Sequence, residues 1–285
     1  MNNGAWTQKF GLKKNPFQDT LDTDLFFRTR QHEEALIKVK IGIEDRHALI
    51  LLAGQSGTGK TLVSQLVLRG LDQETNIPAF VYAYPGMGKG PLLAAILTEI
   101  GVEQPERFTH QRLRQLQEQA LSLYDKGKRL VILIDEAHFL KADALHLLRT
   151  LSNLETEHEK LVTVVLVAEK SLVHRLQRPT YNSLRGRITF SVGLEPLTSM
   201  ETEQFIKFRL LKCGGPVHLL DDDGYKLVHR ISKGVPREIN RLLYNGFIEA
   251  LTSNQEALTS GIIKAAGKKI GLVYGKVMSY TSAAA

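Results

Sequence analysis

Gly54-Gln55-Ser56-Gly57-Thr58-Gly59-Lys60-Thr61 is the stretch on which the reading of this chain turns. It fits G-x-x-x-x-G-K-[ST], and it stands where that pattern needs to stand, after the apolar run Ala48–Ala53 and before a helical segment. Glycines reach positive φ and leave backbone N–H groups free to cradle phosphates. The helix that follows adds the partial positive charge of its N-terminus. In this arrangement Gly54, Gln55, Ser56, Gly57, Thr58 and Gly59 form the cradle. Lys60 reaches the β- and γ-phosphates, and the Thr61 hydroxyl coordinates Mg²⁺.

Working outward, Leu130-Val131-Ile132-Leu133-Ile134-Asp135-Glu136 supplies a second half. A buried strand ends there in two carboxylates, at the kind of sheet edge where nucleotides bind. Asp135 would hold Mg²⁺ through water, and Glu136 would orient or deprotonate the attacking water. There is no N-K-x-D motif, which argues against GTP, and no L-S-G-G-Q, which argues against a transport-type ATPase. The loop also lacks the G-x-G-x-x-G-x-V of protein kinases. The expected cofactors are therefore ATP and Mg²⁺.

Five β-rich runs stand out: Ala48–Ala53, Ala79–Tyr84, Leu130–Ile134, Leu161–Ala168 and Ile188–Val192. Several are continuously apolar, as parallel strands buried on both faces are. Apolar residues at helical spacing fill the gaps: Leu36, Val39 and Ile43; Leu93, Ile96, Leu97 and Ile100; Leu113, Leu116, Ala120 and Leu123; Leu147, Leu148, Leu151 and Leu154. Alternating strands and helices predict crossover units on a parallel sheet. After Pro196 the pattern turns helical, over about 198–212, 219–232, 236–252 and 257–268, with Gly and Pro marking the ends. The expected fold is α/β: a P-loop NTPase with a parallel five-stranded sheet sandwiched by helices, plus a small all-helical C-terminal lid. The expected division is 1–45 for an N-terminal adenine-pocket segment with the first helix, 46–196 for the ATPase core, 197–270 for the lid and 271–285 for a tail.

Composition narrows the class. Of 285 residues 43% are hydrophobic, enough for a real core. The longest apolar run, Leu161–Ala168, is far short of the about 20 residues a spanning helix requires. The N-terminus lacks a basic and then apolar signal region, so a cytoplasmic location is expected. A single cysteine, Cys213, excludes an internal disulfide and a Cys-cluster metal site, and no H-E-x-x-H is present. The formal charge of +7 suits either a plain basic protein or one with a polyanionic partner.

The phosphate loop, the Asp135-Glu136 strand end and the helical C-terminal region together resemble an AAA+ ATPase. Within that superfamily the chain is similar to the ExeA-like group, itself similar to transposition target-selection ATPases of the TnsC, MuB and IstB type. The resemblance runs from Phe10-Gly11-Leu12, Asn15-Pro16-Phe17, Phe26-Phe27 and His32-Glu33, through Asp135-Glu136-Ala137-His138, to Gly234-Val235-Pro236-Arg237 and Ile239-Asn240-Arg241-Leu242. It implies that Pro16 and Phe17 wall the adenine, with a plain core role for Phe17 as the alternative. Arg237 becomes the sensor-2 arginine facing the γ-phosphate. Arg185 or Arg187 becomes an arginine finger offered to a neighbouring subunit; both fit, and Arg187 is preferred. The implied assembly is an ATP-dependent ring or helical filament.

One feature departs from the pattern. The strand Leu161–Ala168 should end in a neutral polar sensor-1 residue, and Glu169 stands there instead. A carboxylate so placed repels the γ-phosphate unless Lys170 or Mg²⁺ offsets it, which implies slow hydrolysis.

Two functions are expected from this engine. The first is an oligomerising ATPase that binds double-stranded DNA without sequence preference and recruits or regulates a transposase or related recombination protein. Its DNA contact would be Lys89, in the loop Tyr84–Pro91. Arg112 and Arg114, two apart on a helix, read as ordinary solvated residues. The alternative is a cytoplasmic ATPase of secretion or pilus assembly. The ExeA-type secretion proteins continue into a membrane segment and a wall-binding domain, and a chain ending at Ala285 tips the expectation toward the first.

Overall fold

The computed structural model describes residues 5–20 and 22–273. The tail expected over 271–285 lies mostly outside the described residues. Five strands form one wholly parallel sheet: β1 (Leu49–Gly54), β2 (Asn76–Tyr82), β3 (Arg129–Asp135), β4 (Val162–Ala168) and β5 (Ile188–Leu194), in the order β2-β3-β4-β1-β5. Helices Arg30–Glu44, Lys60–Arg69, Lys89–Glu99, Thr109–Asp125 and Ala142–Leu151 connect or cover them. β1, β3 and β4 are buried almost end to end, which explains their unbroken apolar sequences.

β2 starts three residues before the expected Ala79 and takes in Pro78, opposite Val131. Proline gives no N–H to a ladder, and β2 tolerates it because it is an edge strand with a neighbour on one side alone. The insertion of β4 between β1 and β3 has the larger consequence. It lines up the ends of three strands, so that Gly54, Asp135 and Glu169 follow adjacent strands along one edge.

The described residues divide into two compact units. Residues 28–195 form the sheet unit; 196 onward forms the other, together with the first 27 residues. The N-terminal segment is thus not grouped with the helix Arg30–Glu44, in contrast to the expected 1–45 division. The reason is apolar burial. Trp6, Phe10, Leu12, Phe17 and Leu25 share one core with Phe205, Leu210, Ile239, Leu243 and Phe247. Trp6 and Phe10 lie against Phe247 at ring-centroid distances of 5.3 and 4.9 Å. Arg209 is buried in this unit, donates from Nη1 to the Pro16 carbonyl at 2.8 Å, and is pushed down to about 10 by desolvation.

The C-terminal helices are Ser199–Lys212, Asp222–Ser232, Pro236–Thr252 and Ser260–Lys269. The second starts three residues later than its apolar spacing suggests, because the Asp221 side chain accepts from Gly224 N–H and caps it there.

Candidate functional site

The loop after β1 has the geometry its glycines allow. Gly57 and Gly59 sit at φ +80° and +97°, which side chains rarely adopt. At Gly54 the constraint is space, since a Cβ would lie 2.5 Å from the Leu194 carbonyl oxygen of β5. Gln55 O accepts from Thr58 Oγ1 at 2.8 Å and from Lys60 Nζ at 3.0 Å, which curls the loop around its own ammonium group.

A residue that the sequence reading gave no role holds this loop from behind. His32, on Arg30–Glu44, is buried, with Nε2 3.2 Å from the Thr58 carbonyl and Nδ1 2.7 Å from Thr29 Oγ1. The network assigns the neutral tautomer with Nε2–H donating to Thr58 O. In the sequence His32 stands within the His32-Glu33 segment that carries the resemblance, with no role attached to it.

Asp135 is fully buried at the end of β3. Its Oδ2 accepts from Thr61 Oγ1 at 2.8 Å and its Oδ1 from Glu136 N–H at 2.8 Å. A hydroxyl and a carboxylate held side by side at the mouth of a phosphate loop are the oxygen donors Mg²⁺ takes, so the residues present fit ATP with Mg²⁺. Glu136 adopts φ +53°, ψ +34°, a left-handed conformation uncommon outside glycine and found at functional turns. Its carboxylate Oε2 lies 3.3 Å from His138 Nδ1.

Glu169 does follow the end of β4, where the neutral residue was expected. Its backbone N–H lies 3.4 Å from His138 Nδ1, and its carboxylate gathers with Glu136 and His138, one ligand atom from each within 4.8 Å of the others. Lys170 does not offset it, because Lys170 Nζ pairs with Glu195 at 2.6 Å.

The remaining expected residues are placed as follows. Phe17 is 2% exposed and stacks on Phe247 at 6.0 Å, in agreement with the plain core alternative. It also lines a cavity of about 480 Å³ with Asp19, Arg237 and Arg241, where Arg237 Nε lies 3.9 Å from Asp19 Oδ2. Arg185 is exposed at the end of the helix Asn182–Arg185. Arg187 is half-buried beside Gly186, and it lines a cavity of about 970 Å³ with Glu155 and His47. Lys89 is exposed at the start of its helix, and its backbone N–H donates to Asp143 Oδ2 at 3.2 Å. The loop before it is tied to the end of β3 and the turn that follows: Ala83 N–H reaches Asp135 O, and Gly86 N–H reaches Phe139 O. Arg112 is not an ordinary solvated residue; it donates to the carbonyls of Glu106 and Gly90 and staples two helix starts together. Arg114 pairs with Glu118 one turn on, at the surface.

Comparison with known proteins agrees with this geometry. Residues 43–176 match the AAA domain family. The chain is 33% identical over 266 residues to the general secretion pathway protein A of Aeromonas hydrophila, covering 93% of this chain and 48% of that protein. The chain thus spans about half the length of the curated relative it matches. Its fold is similar to that of Cdc6p from Pyrobaculum aerophilum (TM-score 0.71, 17% identity, 92% of this chain and 72% of that one). It is also similar to the Aeropyrum pernix ORC2 protein in ADPNP–ADP complexes (TM-score 0.65, 17% identity, 91% and 72%). A Drosophila ORC chain, from a structure bound to DNA, gives TM-score 0.72 at 14% identity over 94% and 66%. At such identities the structural likenesses establish the fold. Residues 43–176 thus resemble an AAA domain, and the fold is that of the α/β P-loop NTPases. Among the described residues no helix is long and apolar enough to cross a membrane.

Proposed function

We propose that this AAA+ chain is the nucleotide-driven part of a secretion- or export-type assembly machine, switching between assembled and free states with bound ATP. The observation that carries this reading is the 33% identity to a secretion protein, which extends over both the sheet unit and the C-terminal helices. Bound ATP with Mg²⁺ supplies a phosphoanhydride whose γ-phosphoryl group accepts water. Lys60 and the loop N–H groups bind and orient the phosphates. Thr61 and Asp135 hold the cation, and Glu136 takes a proton from water at its carboxylate. Arg185 or Arg187 completes a neighbouring subunit's site, so hydrolysis depends on assembly.

A second reading keeps the same engine and gives it DNA as the partner, with a recombination protein downstream. Its support is the +7 charge and the exposed Lys89, whose loop is hydrogen-bonded to the strand end carrying Asp135. Duplex binding, measured at two salt concentrations with ADP and with a non-hydrolysable ATP analogue, separates the two. The secretion reading expects no duplex binding that depends on the analogue. Binding seen with the analogue alone, falling steeply with salt and weakened by Lys89→Ala, would overturn it in favour of DNA.

A further inference from the structure

The two carboxylates and one imidazole at the ends of β3 and β4 have a geometry of their own. Glu136 Oε2 and His138 Nδ1 are 3.3 Å apart, and Glu136, His138 and Glu169 each bring one ligand atom within 4.8 Å of the others. Zn²⁺ binds imidazole and carboxylate at about 2.0–2.1 Å in tetrahedral sites, which puts neighbouring ligand atoms about 3.3–3.4 Å apart. The Glu136–His138 spacing therefore equals one edge of such a tetrahedron. As a hydrogen bond it is long, and His138 Nδ1 also faces the Glu169 N–H at 3.4 Å.

The charge pattern points the same way. The Glu136 carboxylate faces His138, and Lys170, next to Glu169 in the sequence, is held by Glu195. Two carboxylates thus converge on one imidazole whose side chain is 11% exposed. An imidazole ligand selects Zn²⁺-like cations over Mg²⁺ and Ca²⁺, which take oxygen donors.

We infer that Glu136, His138 and Glu169 form a site for a divalent transition-metal cation of the Zn²⁺ type, separate from the Thr61–Asp135 pair that holds Mg²⁺. An ion there captures the Glu136 carboxylate and keeps it from water, so the site is an inhibitory one. The inhibitory consequence rests on the role proposed for Glu136; the binding site itself does not.

The test titrates the nucleotide-free full chain with Zn²⁺ against a chromophoric chelator of micromolar affinity, for wild type, His138→Asn and Glu169→Gln. One tight equivalent is expected in wild type, weakened at least about tenfold in each variant, since losing a ligand costs no less than losing a ligand's supporting partner, about 10–100-fold. Glu169 starts a helix at a partly exposed position, so Glu169→Gln serves if His138→Asn fails to fold. Equal stoichiometry and affinity in wild type and Glu169→Gln would overturn the inference. A second arm measures ATP hydrolysis in excess Mg²⁺ with added Zn²⁺: wild type slows, and Glu169→Gln slows at least about tenfold less readily. Equal Zn²⁺ inhibition of the two overturns the inhibitory role. A chain that binds Zn²⁺ as described yet hydrolyses no ATP in its absence would defeat the ATPase reading and leave the metal site standing.

Discussion

Replacing His32 tests whether the phosphate loop is held from behind. His32→Ala removes the donor to the Thr58 carbonyl and the acceptor for Thr29 Oγ1, which lie 3.2 and 2.7 Å away. A buried carbonyl left without this donor costs about 1–3 kcal/mol, and the lost contact at the helix start costs about 1 kcal/mol more. The total is about 2–4 kcal/mol. At about 2–4 °C per kcal/mol for a unit of this size, Tm falls by about 4–16 °C. His32→Phe keeps an aromatic ring in place and removes both ring nitrogens, so it loses the same polar contacts, about 2–4 kcal/mol, without the cavity that His32→Ala leaves. The loop effect is read separately, as the Kd of an ATP analogue at a temperature where both proteins are folded. Re-ordering a loosened loop at about 1–2 kcal/mol raises Kd by about 5–30-fold. Thermal unfolding by circular dichroism and titration calorimetry supply the two numbers. If His32→Phe melts with wild type and binds the analogue equally well, the histidine does not support the loop.

Glu136→Gln should bind ATP at near wild-type affinity and lose turnover by at least about 10²-fold, the scale of one general base; undiminished hydrolysis would place the water with another residue. Arg185→Ala or Arg187→Ala should leave ATP binding by dilute subunits intact and cut assembly-dependent hydrolysis by about 10³-fold or more. The exposure of Arg185 makes it the stronger candidate on geometry, although the sequence favoured Arg187, and the variant showing the defect identifies the finger. Gly234→Ala should destabilise the C-terminal helical unit by more than about 1–2 kcal/mol in a denaturant titration. Gly234 is at φ +72°, and a Cβ there would strike the Leu197 carbonyl oxygen, so an unchanged midpoint would mean that the turn relaxes freely.

The sequence alone determined those parts of the protein whose signals are local. A glycine-rich loop between an apolar run and a helix specifies a phosphate cradle because its backbone angles, N–H groups and ammonium group come from eight adjacent residues. Asp135 and Glu136 were legible for the same reason, as charges ending an unbroken apolar strand. Helix starts at Ser199 and Pro236 were readable within a residue or two from Pro196, Gly234 and Pro236. Tertiary structure decided what no local pattern encodes. The insertion of β4 between β1 and β3 brings Glu169 beside Glu136 and His138, about thirty positions away in the chain, and so turns an odd sensor position into a three-ligand cluster. The Thr58–His32 contact spans 26 positions and depends on where the helix Arg30–Glu44 lies against the loop. The first 27 residues join the C-terminal helices because five large apolar side chains find their complementary core there. Burial is non-directional, and which surfaces meet is settled by packing over the whole chain.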